Sequence, residues 1–374
     1  MRFCVTLKSL SYFNLFCLAL EVSVRNQMGR MGVMGIAWFA AAAALHAADG
    51  VWLNASSGNW SDSAKWVGGT IAQEGGTATF KAASGTYIVS NDLGTVVLSG
   101  MIGNEPVAGD AAWWTIAGGT IQMVAPALIN TQGDRLSVRE STLSGSTDLL
   151  ITGLGKFFLG DDNLYTGRTI ISNGNVRVAR DSGLGPVPAS LRADSIVLDH
   201  GGLENDDSDY TLELNANRGI TVTANGGYLG AGYTRAGLTV NGPITGPGLL
   251  GINYENSPVT LNNTANDYTG GTWFGTVGPG YNTDCAPTLK IGQNEVLPDG
   301  VGKGGLTIGL ISTTNGALPW CTLDLNGKTE TVNTLDSGPN ANIFSSTANQ
   351  GRLIVGGAQW GRRLPRASSG GRND

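Results

Sequence analysis

The chain has 374 residues, of which 57 are glycine and 14% charged, and a net charge of −6 that becomes −9 once residues 1–48 are set aside. A negative chain disfavours nucleic acid and anionic membrane as partners. Glycine without a G-X-Y period excludes collagen, and 41% hydrophobic content excludes wholesale disorder.

Taken in order, the chain begins with an apolar stretch over 12–20 interrupted by Asn14, then restarts at Met28, Met31 and Met34 around Arg30. An apolar run from Val33 to Leu45 leads into small residues ending Ala47-Ala48-Asp49. A positive charge, about a dozen apolar residues and a small-residue end make a secretory signal peptide over 28–48, cleaved between Ala44 and Asp49. The run is too short to cross a bilayer comfortably. Residues 1–27 then read as an over-extended reading frame. Cys4 and Cys17 fall in the segment to be lost, which leaves Cys285 and Cys321 as a pair that is either bridged or free.

Residues 50–80 carry Trp52, Trp60 and Trp66, expected to cover the end of a stack of strands. Short strands follow at Tyr87-Ile88-Val89, Thr95-Val96-Val97-Leu98, Trp113-Trp114-Thr115-Ile116 and Thr120-Ile121-Gln122-Met123. Over 149–185 the pattern is clearest. Leu149-Leu150-Ile151, Phe157-Phe158-Leu159, Thr169-Ile170-Ile171 and Val176-Arg177-Val178 alternate with corners made of glycine and asparagine. Runs of three to five residues suit strands and are too short for helices. The predicted fold is all-β: a right-handed parallel β-helix in one elongated domain over 49–355, with a β-sandwich array as runner-up. At about 20–25 residues per coil it holds roughly 13–16 coils.

Residues 199–209 gather Asp199, Glu204, Asp206, Asp207 and Asp209 around His200. Such oxygen ligands suit a hard cation, but neither the EF-hand nor the RTX spacing is present, so the stretch reads as a solvated loop without tight Ca²⁺ binding. The serine-hydrolase elbow, the zinc-protease helix motif and the P-loop are missing, so no catalytic, cofactor or metal residue is assigned.

The pattern of 149–185 recurs near 245–300. Asn163-Leu164-Tyr165-Thr166-Gly167 is echoed by Asn266-Asp267-Tyr268-Thr269-Gly270, each preceded by a Gly-x-Gly and followed by a Leu-Gly or Leu-Pro-Asp-Gly corner. Downstream stands Leu323-Asp324-Leu325-Asn326-Gly327, and upstream Gly58-Asn59-Trp60-Ser61-Asp62. This order of signals resembles the autotransporter-associated β-strand repeat of large bacterial passenger and surface proteins. Arg168 departs from the repeat's usual second glycine, and Trp273-Phe274-Gly275 stands where a simple strand is expected. The resemblance implies a structural, non-enzymatic protein of the cell surface or extracellular space of a Gram-negative type bacterium, presenting loops for adhesion to a surface or glycan partner. A polysaccharide-binding or polysaccharide-cleaving β-helix is the alternative, on fold analogy alone. Within each copy, Tyr165 and Tyr268 should mark equivalent corners near the surface or a coil seam, with Ile170, Val176 and Leu184 turned inward. The tail over 356–374 is basic and apolar-poor, and reads as disordered.

Overall fold

In the computed structural model, residues 47–356 are described apart from 54, 83, 104–111, 134, 232–235, 254–256, 275–286, 310–319 and 348–349. The leader and the tail expected from the sequence therefore lie almost wholly outside the described residues, as does Cys285. Cys321 is a free thiol, buried, and desolvation pushes it up to about 11. No described helix is long and apolar enough to cross a membrane.

The fold is all-β, with parallel sheets stacked into a β-solenoid of about 11 turns. The strands fall into three ladders, of which the second and third continue into the later turns beyond the last strand of the first. The first ladder runs through Gly76–Phe80, Leu149–Thr152, Thr169–Ser172, Arg192–Asp199, Arg218–Val222 and Ile244–Thr245. The second runs through Gly85–Ser90, Lys156–Phe158, Asn175–Val178, Gly202–Asn205, Gly227–Ala231, Leu250–Asn253, Thr272–Phe274 and Leu306–Ile308. The third includes, in the early coils, Leu164–Tyr165, paired with Ser144 and Gly145; the later coils carry in its place a separate six-stranded sheet that runs through Leu212–Leu214, Leu238–Val240, Pro258–Leu261, Thr288–Ile291 and Cys321–Asp324. The long strand Ala112–Asn130 passes through all three. Eleven turns are fewer than the 13–16 expected because the later coils are longer: Thr272 pairs with Leu306, 34 positions on.

Strand alternation sends every second residue inward. In the second ladder Leu136, Phe157, Val176, Leu203, Leu229, Ile252, Phe274 and Ile308 stack in register, and all are buried. Each such side chain contributes about 1.5–3 kcal/mol of apolar burial. The first ladder corrects one expectation. In Thr169–Ser172 it is Thr169 and Ile171 that are buried, while Ile170 faces outward; Val176 and Leu184 are buried as expected.

The opening aromatics cover an edge, as their size suggested. Gly50–Val51 pairs on one side with residues 78 and 79, while antiparallel bridges Ala48 to Gln73 and Trp52 to Trp66 fold the chain across the other side. The rings of Trp52 and Trp66 meet edge-on at 5.0 Å, and those of Trp60 and Trp66 at 5.2 Å. Their indole N–H groups donate to the carbonyls of Ser56, Ala72 and Trp60 at 2.9, 3.0 and 2.8 Å.

Glu330 is the exception in the core: it faces inward from Thr329–Val332 and is fully buried. Desolvation pushes its carboxyl up to about 8, although the backbone N–H groups of Val296 and Leu297 donate to it at 3.0 and 2.9 Å. A carboxyl whose folded pKa exceeds its unfolded value holds its proton in the fold and loses it on unfolding. Its contribution to stability is therefore full below about 4.5 and lost as the pH rises through about 8. Thermal melts should show stability declining by on the order of 3 kcal/mol between pH 5 and 9, and Glu330→Gln should flatten that slope whatever it does to the absolute midpoint. An unchanged slope in the variant would assign the effect to another group.

Candidate functional site

The acidic stretch is only in part the solvated loop that its composition suggests: residues 206–209 lie outside any strand and Asp209 is exposed, but the residues before them are ordered into the stack. Residues Gly202–Asn205 form a second-ladder strand in which all four residues are buried. The acids are dispersed onto separate partners. Asp199 accepts from Thr223 Oγ1 at 2.5 Å, Asn225 Nδ2 at 2.7 Å and Ser172 Oγ at 3.1 Å, and these bonds hold its carboxyl below the usual range, the Thr223 hydroxyl most of all. Glu204 accepts from Asn175 and from Arg177 Nε at 2.9 Å. Asp206 pairs with Arg139, and Asp207 with Arg180 at 3.6 Å. Among the described residues no group of three or more His, Cys, Asp or Glu could hold a metal ion. Calorimetric titration with Ca²⁺ should accordingly show no micromolar binding; a micromolar isotherm abolished by Asp206→Ala with Asp207→Ala would reverse that assignment.

The outward face of the second ladder carries aromatic and cationic groups that the sequence reading passed over. Trp113 and Phe158 stack at 5.4 Å, and the guanidinium groups of Arg135 and Arg139 lie 5.0 Å from the Trp113 ring and 4.5 Å from the Phe158 ring. Arg177 joins the same cluster while bonding Glu204. With the carboxylates so closely matched, this flank reads as a structural clasp across coils.

Concave surface occurs at the corner after the third ladder. Here a groove of about 560 Å³ is lined by the carboxylates of Asp181 and Glu213, with the amides of Asn215, Asn241, Asn262 and Gln293 along its length. Three third-ladder strands hand over directly to asparagine: Leu-Glu-Leu-Asn215, Leu-Thr-Val-Asn241 and Val-Thr-Leu-Asn262. Leu-Asp-Leu-Asn326 reads the same way, one residue beyond its strand. That recurring aliphatic-x-aliphatic-Asn was visible in the sequence and would have marked the corner. Stacking follows from it. Asn241 Nδ2 donates to the Leu214 carbonyl at 3.0 Å, Asn262 Nδ2 to Asn241 Oδ1 at 2.8 Å, and Gln293 Nε2 to the Asn262 carbonyl at 3.0 Å. Asn263 Nδ2 donates to the Asn241 carbonyl at 2.7 Å. Each of these amides thus spends one N–H on the coil before it. Asp181 takes Arg218 Nε at 2.9 Å and the Asn215 N–H at 3.1 Å on Oδ1. Glu213 is exposed and has no ion-pair partner among the described residues.

The two repeat copies are built alike. Asn163 Oδ1 accepts from the Leu143 N–H at 2.7 Å and Asn266 Oδ1 from the Ile244 N–H at 2.8 Å. Tyr165 and Thr169 share a hydroxyl–hydroxyl bond of 2.9 Å, and Tyr268 and Thr272 one of 2.5 Å. Both tyrosines are 1% exposed, so they are core residues and not the surface or seam markers expected; burial pushes the Tyr165 phenol up to about 12 and raises that of Tyr268 as well. Nor are their corners equivalent. Thr169 opens a first-ladder strand and Thr272 a second-ladder strand, so the copies are displaced by one face of the solenoid. Arg168 fits because its side chain reaches Asp148 Oδ2 at 2.8 and 2.6 Å, whereas Gly271 at the same place in the second copy takes a left-handed φ of 85°.

Against known proteins, the chain is 28% identical over 210 residues, 54% of its length, to the adhesin BmaC autotransporter of Brucella suis biovar 1 (strain 1330). The match spans about 6% of that relative's own length. No family model matches the chain, and no solved structure matches it.

Proposed function

We propose that this chain is a passenger-type β-helix exported to the bacterial surface or the extracellular space, where it serves adhesion and not catalysis. The observation that carries this reading is the similarity to an adhesin autotransporter over 210 residues of a chain folded as a parallel β-solenoid. The placement of the acids supports it: Asp199, Glu204, Asp206 and Asp207 are each held by hydroxyl, amide or guanidinium groups, an arrangement that fixes coils to one another and leaves no poised acid–base pair. The partner is a surface or glycan ligand met along the flanks and corners of the stack. Two measurements test this. Antibody to the chain should label intact, unpermeabilised cells, and beads coated with the full chain should adhere to host-cell or matrix surfaces above uncoated beads. Labelling that appears only after permeabilisation would overturn the surface assignment, and beads that adhere no better than controls would overturn the adhesive one.

A further inference from the structure

We propose that the groove at the third-ladder corner binds a short lysine- or arginine-rich peptide segment lying along the solenoid axis. Polarity is the first ground. Asn241, Asn262, Asn263 and Gln293 each donate one amide N–H to the protein itself, whereas among the described residues Gln293 Oε1, Asn262 Oδ1 and the Glu213 carboxylate accept no hydrogen bond. Part of the groove's donor capacity is thus spent within the protein, while open acceptors, among them a full carboxylate, remain for a donor-rich ligand.

Charge is the second ground. Asp181 and Glu213 line the groove, and no Lys, Arg or His does. Arg218, 3% exposed, neutralises Asp181 from behind, through Oδ1. The second Asp181 oxygen, Oδ2, is buried without a hydrogen-bond partner. Glu213 remains as an uncompensated carboxylate at the rim. Ammonium and guanidinium groups are the donor-rich, positively charged ligands that such a lining favours, through charge-assisted hydrogen bonds.

Length is the third. The lining runs over five successive levels, from Asp181 through Asn215, Asn241 and Asn262 to Gln293. Levels about 4.8 Å apart make it roughly 19 Å long, the reach of about six residues of extended peptide at 3.3 Å each.

The inference rests on the reading of the chain as a binding surface but fails separately from it. Fluorescein-labelled hexalysine is titrated with the full chain and followed by anisotropy, with hexaglutamate and a neutral glucan oligosaccharide as the other probes. Saturable hexalysine binding is expected, weakened at least about tenfold by Glu213→Lys and unchanged by Glu140→Lys, an exposed acid outside the groove. Gln293→Ala should weaken it less, by two- to fivefold. Both charge reversals sit at exposed positions, and an unchanged melting temperature confirms that each variant is folded. Equal weakening by both reversals would reduce the effect to general attraction by a negative chain and overturn the site. So would the absence of saturation, or binding of the neutral oligosaccharide in preference to hexalysine. A chain that holds beads to cells yet ignores hexalysine would sink the groove and leave the adhesive reading standing.

Discussion

Gly167→Val is expected to destabilise the fold by about 3 kcal/mol or more, and Gly270→Val by a similar amount. A Cβ at Gly167 would lie 1.9 Å from the Thr147 carbonyl oxygen, and one at Gly270 would lie 2.2 Å from the Gly248 carbonyl carbon. Both obstacles are backbone of the preceding coil, which cannot turn aside as a side chain could. A left-handed φ is not the reason: Gly167 is not among the left-handed glycines, whereas Gly153 and Gly271 are. Close approach of one coil to the next is what requires glycine here. Denaturant melts should show Gly167→Val well below Asn175→Ser, which removes one amide bond to Glu204 and costs about 1 kcal/mol. A Gly167→Val protein as stable as the parent would mean that the coils separate at this corner without penalty.

The second large effect is expected at Arg177. Its guanidinium bonds Glu204, which is fully buried on the outward face of the second ladder. Arg177→Leu leaves that carboxylate with the Asn175 amide alone, and removal of one member of a buried pair costs about 3–5 kcal/mol. Arg177→Leu combined with Glu204→Leu should recover most of the loss, because two packed aliphatic side chains replace two desolvated charges. Chemical denaturation of the two single variants and the double variant measures the coupling directly. Additive losses would show that Glu204 is stabilised by groups other than Arg177.

Much of this architecture was legible before any coordinates. Strands of three to five residues between Gly and Asn corners are dictated by backbone conformational freedom, a local property that a sequence displays openly. The inward face was harder. In Thr169-Ile170-Ile171 the two isoleucines are equally apolar, and the choice falls to Thr169 and Ile171 because the Thr169 hydroxyl bonds Tyr165 across the corner. That contact is tertiary and leaves no mark on the hydrophobic pattern. The acidic stretch misled for a related reason: Glu204 is buried by Arg177, Asn175 and the pairing of its strand, partners 27 and 29 positions away. The groove could have been found. Its asparagines follow consecutive third-ladder strands in a fixed phrase, a weaker compositional signal than the clustered acids of residues 199–209.

The asymmetry of the two described boundaries bears on how the described coils yield to force. Each coil rests only on its neighbours, so a tethered solenoid comes apart from whichever boundary is least held. The edge beside Gly50–Val51 is bridged over by residues 66–73 and plugged by three tryptophans. At the other described boundary, Ala341–Phe344 and Arg352–Val355 leave Ile343, Phe344 and Val355 about two-fifths exposed. Pulled along their axis, the described coils should open first on the Arg352–Val355 side, one turn at a time. The released lengths would follow the spacing of paired residues, from 19 positions between Lys156 and Asn175 to 34 between Thr272 and Leu306. At about 3.5 Å per residue those are extensions of roughly 65–120 Å per rupture. Such a stack pays out slack in small instalments, so that a tug need not cost the whole fold at once.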